Sequence, residues 1–158
     1  MIDYDSFAGS HERAFSIALL RLNELIDADA DEETEGDAVR DGMDMHWYRM
    51  DEVQRKRMGY LSVDLEHIAQ AKGEVDHVGA VDREWANELQ LARKLPGIEG
   101  ADRILAVLRD QRAGRPSGNF FFIQAKQYER LGMPEVARAF YDAAESRSVD
   151  NLKLLSVA

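Results

Sequence analysis

Cysteine is absent from this 158-residue chain. That absence excludes a disulfide framework, a thiolate metal site and a cysteine nucleophile. It also fits a reducing compartment, and the cytoplasm is the expected location. Proline is scarce, with Pro96, Pro116 and Pro134 the three in the chain, and each falls where a helix should begin or end. The alternation of β-branched and aromatic residues that marks strands is nearly missing, which leaves an all-α fold. No apolar run approaches the ~18 residues that suggest a bilayer-spanning helix. Met1-Ile2-Asp3-Tyr4-Asp5 carries neither a basic region nor an apolar stretch, so it does not read as a signal peptide.

Positive charge is also in short supply. Thirty acidic residues face twenty Lys and Arg, for a formal net charge of -10. The excess is local: from Asp27 to Glu52, eleven acidic residues meet only Arg40 and Arg49. A chain this acidic lacks the cations that neutralise phosphates, so no nucleic-acid partner is expected. An anionic membrane is disfavoured for the same reason.

Helical spacing organises the rest. Phe15, Ala18, Leu19, Leu22 and Ile26 give the first helix, about Ser10 to Ile26, one apolar face. Asp27 to Asp37 is too acidic to pack and reads as a loop. A second helix, about Asp37 to Arg49, aligns Val39, Met43, His46 and Trp47, with Met50 following. Asp51-Glu52-Val53-Gln54 has the form of a capping box opening a third helix. That helix runs to about Lys72, with Val53, Leu61, Leu65, Ile68 and Ala69 inward. Gly73 and Gly79 bracket a linker. Four further helices follow, at about 82–95, 99–112, 117–131 and 134–148, with a short closing helix at 150–155. Residues 1–78 thus read as an N-terminal three-helix bundle, 82–151 as two helical hairpins and 152–158 as a C-terminal segment, all within one domain.

The hairpins carry the most distinctive spacing. Sliding the chain by about 36 residues brings Trp85 onto Phe121, Leu95 onto Leu131, Ala101 onto Ala137, Ile104 onto Phe140 and Leu105 onto Tyr141. Small residues where two helices cross let the backbones approach, and large ones fill the gaps between successive pairs. Residues 118–151, with Phe121, Ala125, Tyr128, Gly132, Ala137, Tyr141 and Ala144 in order, resemble a tetratricopeptide repeat. Residues 82–117 form a weaker copy. Gln124, where the family carries an apolar residue, and Val149, where proline is common, depart from the pattern.

The resemblance implies a protein- or peptide-binding adaptor or accessory module, with the first helix of each pair lining a concave surface. Its outward positions would be Arg83, Gln90, Arg93 and Lys94, then Asn119, Phe122, Lys126, Glu129 and Arg130. That groove would be basic inside an acidic protein, suited to an acidic peptide segment or a chain-terminal carboxylate. The Asp27–Asp37 stretch is a second candidate occupant. Phe120-Phe121-Phe122 cannot all face one core, because adjacent helical positions point about 100° apart. A structural homo-oligomer with Trp85, Phe120 and Phe122 at its interface is therefore the alternative reading.

Catalysis has no positive signal. Asp64…His67 and Glu74…His77 share the carboxylate-x-x-histidine spacing of helical-bundle metal sites, so a metal-dependent enzyme is a third reading. In a chain this acidic, however, such spacings arise by chance, and Glu74 and His77 fall in the linker. His46, on an apolar stripe, reads as a histidine bonded to a backbone carbonyl. No phosphate-binding glycine loop and no strand-borne nucleophile occurs. No catalytic residue, metal ligand or cofactor is assigned.

Overall fold

Glu12, Arg57 and Asp64 are charged, yet all three are buried, and their ion pairs organise helices that apolar spacing only partly accounts for. The computed structural model describes residues 10–70, 83–110 and 118–147. Among them are seven helices and no strand: α1 (Ser10–Asp27), α2 (Thr34–Arg49), α3 (Glu52–Gln70), α4 (Arg83–Ala92), α5 (Gly97–Arg109), α6 (Gly118–Arg130) and α7 (Pro134–Arg147). The fold is all-α. No helix among the described residues is long and apolar enough to cross a membrane. The chain divides into two compact units within α3, one of Ala8–Val63 and one from Asp64 onward. The linker at Gly73–Gly79 and the closing helix at 150–155 lie outside the described residues.

In the Ala8–Val63 unit, α1 and α2 pair. Phe15 and Leu19 are buried as expected, but Leu25 takes the inward place given to Ile26, which is half exposed. Glu12 and Ser16 also lie inward. Glu12 is tolerated there because Arg57 of α3 donates to its carboxylate at 2.6 Å. The stretch after α1 is more ordered than its charge suggests. Asp29 adopts a left-handed φ of 57°, and the amides of Asp29 and Ala30 return to the carbonyls of Ile26 and Leu25. This is a Schellman closure of α1.

α2 then begins at Thr34, inside the stretch expected to be loop. Two causes are visible. Glu35 and Asp37 occupy its first turn, where the helix dipole stabilises anions. Gly36 lets that turn close on the loop, since a Cβ there would sit 1.8 Å from the Asp31 carbonyl oxygen.

The capping box is present as expected. The Gln54 amide donates to Asp51 Oδ1 at 2.8 Å, and the Asp51 amide donates to Gln54 Oε1 at 2.9 Å. The inward stripe of α3 differs from expectation. Val53 is 64% exposed and Ala69 is exposed, while Arg57, Met58, Leu61, Asp64 and Leu65 are buried. The apolar residues alone mislocate the stripe because two of its members are paired charges.

In the unit from Asp64 onward, α4–α5 and α6–α7 form successive hairpins. α6 ends in a Schellman motif at Gly132, φ 82°, whose amide donates to the Glu129 carbonyl while that of Met133 donates to Tyr128. Pro134 opens α7, where a missing N–H costs nothing. Burial repeats with the sequence register. Trp85, Leu89, Ala92, Ala101, Ile104, Val107 and Leu108 are buried, and so are their counterparts Phe121, Ala125, Tyr128, Ala137, Phe140, Ala143 and Ala144. Two pairs break the match: Leu105 is buried but Tyr141 half-buried, and Leu131 is buried but Leu95 half-buried.

Candidate functional site

The candidate surface is built on α4 and α6. Trp85, Leu89 and Ala92 turn one face of α4 toward Ile104, Val107 and Leu108 of α5, with Phe120 and Ile123 of α6 packed on the same cluster. The Trp85 indole N–H donates to the Val107 carbonyl at 2.7 Å, and its ring meets Phe120 with centroids 4.9 Å apart. α4 keeps a solvent-facing side, whereas on α6 Phe121, Gln124, Ala125, Gln127 and Tyr128 are buried as well, and among its described side chains only Lys126, Glu129 and Arg130 are exposed.

Seven of the nine residues assigned to that surface are exposed: Arg83 and Gln90 on α4, Arg93 and Lys94 in the turn that follows it, and Lys126, Glu129 and Arg130 on α6. Leu91, 63% exposed, adds an apolar element to α4. Glu84 and Glu88 share that helix, and Glu129 shares α6. Phe122 is half-buried. Its ring meets Tyr141 of α7 edge-on at 5.5 Å, and the Lys126 ammonium sits 4.8 Å from its centroid. The Asn119 side chain lies outside the described residues.

Arg130 has commitments already. Its guanidinium donates to Gln127 Oε1 at 2.9 Å and to the Gly97 carbonyl at 3.2 Å, tying α6 to the start of α5. Glu129 accepts from the Tyr141 hydroxyl at 2.8 Å. Desolvation, together with that hydrogen bond and the Glu129 charge, pushes the Tyr141 phenol up to about 12. Arg83 opens α4, Arg93 and Lys94 lie in the turn just after it, and Lys126 rests on an aromatic ring.

Trp85 and Phe120 pack against one another within the unit. The Asp27–Asp37 stretch is also engaged close to home. Arg40 donates to the Asp31 carbonyl and carboxylate, each at 2.9 Å, and Arg21 donates to Glu35 at 2.8 Å.

Sequence reasoning missed the polar cluster inside this unit. Asp64, fully buried, receives Arg109 Nε at 2.8 Å and a terminal Arg109 nitrogen at 2.9 Å. The Tyr128 hydroxyl donates to the same carboxylate at 2.5 Å. Burial first, and the Asp64 charge second, hold the Tyr128 phenol well above its ordinary range. Burial lowers the Arg109 guanidinium, but the bonds to Asp64 outweigh it and the net shift is upward. Asp64 is therefore an ion-pair partner, where its spacing to His67 suggested a metal ligand. Among the described residues no three His, Cys, Asp or Glu side chains gather as a metal site. The available signal was Asp64 itself, seven residues from Arg57 and next to Leu65 on a buried stripe.

His46 also differs from expectation. Its Nδ1 lies 3.0 Å from Nδ1 of His11, so its partner is a second imidazole where a backbone carbonyl was expected.

No protein-family model matches the chain, and neither a curated protein nor a solved structure matches it.

Proposed function

We propose that this chain is a protein- or peptide-binding module, and that its ligand is an acidic segment or chain-terminal carboxylate received on the outward faces of α4 and α6. The observation that carries this reading is the exposure of Arg83 on α4, Arg93 and Lys94 in the turn after it, and Lys126 on α6 in a protein whose net charge is -10. An acidic ligand gains from such a patch by complementarity, and long-range steering speeds its encounter. Phe122 beneath Lys126 adds a flat apolar surface of the kind that anchors a peptide side chain.

The recurrence of buried positions at the same sequence interval supports a repeat-like array of two hairpins, similar to tetratricopeptide modules. Such arrays present the first helix of each pair on one side. The polar cluster of Asp64, Arg109 and Tyr128 is buried, and its role in this reading is to hold the hairpins' geometry.

The test is fluorescence anisotropy with labelled acidic peptides bearing a free carboxyl terminus, set against basic peptides of equal length. Saturable binding of acidic peptides that weakens with salt supports the reading. Equal binding of both sets, or none, contradicts it.

A further inference from the structure

α2 is held by one side only. Gly36 is the single fully buried residue among its 16, and Val39, Met43, His46 and Trp47 on its inward side are half-buried. Asp37, Asp41, Asp44, Met45 and Tyr48 are all exposed. At about 3.6 residues per turn, these five fall within a sector of about 100° and run about 16 Å along the helix. A helix packed on one side ordinarily turns charged and polar groups to water. Here Tyr48 is 77% exposed and Met45 47%, so two large apolar side chains share that face with three carboxylates. Asp37 reaches Arg40 only at 3.9 Å. Neither Asp41 nor Asp44 has an ion-pair partner among the described residues. Arg49, one turn beyond Met45, borders the face at its far end.

The cationic surface of α4, the turn after it and α6 is its counterpart in kind. Arg83, Arg93 and Lys94 are exposed and have no ion-pair partner among the described residues. Leu91, 63% exposed, lies between them in the chain. We propose that the outer face of α2 in one copy of the chain docks on this surface of a second copy. The inference rests on the reading that the surface receives acidic ligands, and it names one such ligand. Exposed ion pairs contribute little singly, so the charges steer and orient the approach, while burial of Tyr48, Met45 and Leu91 holds the contact. The two faces differ, so the contact is heterologous, and a copy that gives its α2 keeps its own cations open to a third. Association therefore extends as a chain of copies. The net charge of -10 repels whole copies from one another, so the contact is weak and forms at high protein concentration, in salt that screens the long-range repulsion.

Sedimentation equilibrium of the full chain at physiological salt, from low micromolar to millimolar protein, tests the contact. The average mass of the wild type should climb past that of a dimer as concentration rises. Asp41→Lys/Asp44→Lys and Arg93→Glu/Lys126→Glu should each associate at least tenfold more weakly. An equimolar mixture of the two variants retains one acidic and one cationic face, so it should form a dimer of one copy of each and nothing larger. If the lysine variant misfolds, Asp41→Asn/Asp44→Asn removes the charge without enlarging the side chain and should weaken association at least threefold. Wild-type association in any of these variants, or a mixture that stays monomeric, overturns the pairing of the two faces. A wild-type chain that is monomeric at every concentration yet binds labelled acidic peptide overturns the self-docking and leaves the binding reading standing. A chain that does neither overturns both.

Discussion

Tyr128 of α6 gives its phenolic hydrogen bond to Asp64, the same carboxylate that Arg109 of α5 grips with two nitrogens. One buried anion thereby joins three helices of its unit. Removing it strands a cation in a site with little water. Asp64→Ala should therefore destabilise the protein by about 3–5 kcal/mol, the range for breaking a buried pair. Tyr128→Phe, which leaves Asp64 and Arg109 paired, should cost about 1.5–3 kcal/mol. The double variant should lose less than the sum, because both changes act on one network. Urea denaturation of the four proteins measures all of these terms.

The same phenol sets the behaviour in alkali. A tyrosine in the unfolded chain loses its proton near pH 10, whereas folded Tyr128 keeps it to higher pH. The folded state therefore binds more protons above pH 10, and stability must fall as pH rises through that range. Each such group contributes a slope of up to about 1.4 kcal/mol per pH unit, fully absent below pH 10. Tyr141, raised to about 12, adds to the loss between pH 10 and 12. Ultraviolet titration of the phenolates should show both groups ionising late. Tyr141→Phe should remove the step near 12, and Tyr128→Phe should flatten the alkaline loss of stability.

Gln124 offers the opposite case, a substitution expected to stabilise. It is buried, and its Oε1 has no hydrogen-bond partner among the described residues. A buried acceptor left unpaired costs about 1–3 kcal/mol. Gln124→Leu, which restores an apolar residue of similar size, should raise stability by about 1 kcal/mol or more. Thermal melting reads this as a Tm increase of roughly 2–4 °C.

Gly100 should resist even the smallest enlargement. A Cβ at this position in α5 would lie 2.0 Å from the Leu95 carbonyl oxygen and 3.3 Å from a terminal nitrogen of Arg130. Backbone must move to admit it, so Gly100→Ala should destabilise by about 1–3 kcal/mol despite alanine's better helix propensity. Gly42, with nothing within 4 Å of its Cβ position, is the control. Gly42→Ala should be stabilising by up to about 1 kcal/mol. Chemical denaturation of both variants checks the contrast.

Several elements were legible in the sequence because each rests on local chemistry. The Asp51–Gln54 capping box, the Gly132 terminus of α6 and the Pro134 start of α7 are such features, and so is the register that pairs Trp85 with Phe121. The start of α2 was not legible, because Gly36 matters only through its approach to Asp31. Nor were the inward faces of α1 and α3, where Glu12, Arg57 and Asp64 sit among apolar neighbours. A charged residue is buried only when its partner arrives from another helix, and spacing along one helix does not reveal that partner. The exposure of Arg83, Gln90, Arg93, Lys94, Lys126 and Arg130 was legible from helical spacing, but the half-burial of Phe122 was not. The engagement of Arg130 with Gly97 and of Glu129 with Tyr141 depended on tertiary neighbours.

The central claim is that the exposed cations at α4, in the turn after it and on α6 receive an acidic ligand, and Arg93 with Lys126 tests it most directly. The Arg93→Glu/Lys126→Glu protein should remain folded, since both side chains are exposed. Anisotropy titration with a labelled acidic peptide should then show affinity at least tenfold below wild type and a shallower dependence on salt. Unchanged affinity and unchanged salt dependence in a folded double variant would contradict the account.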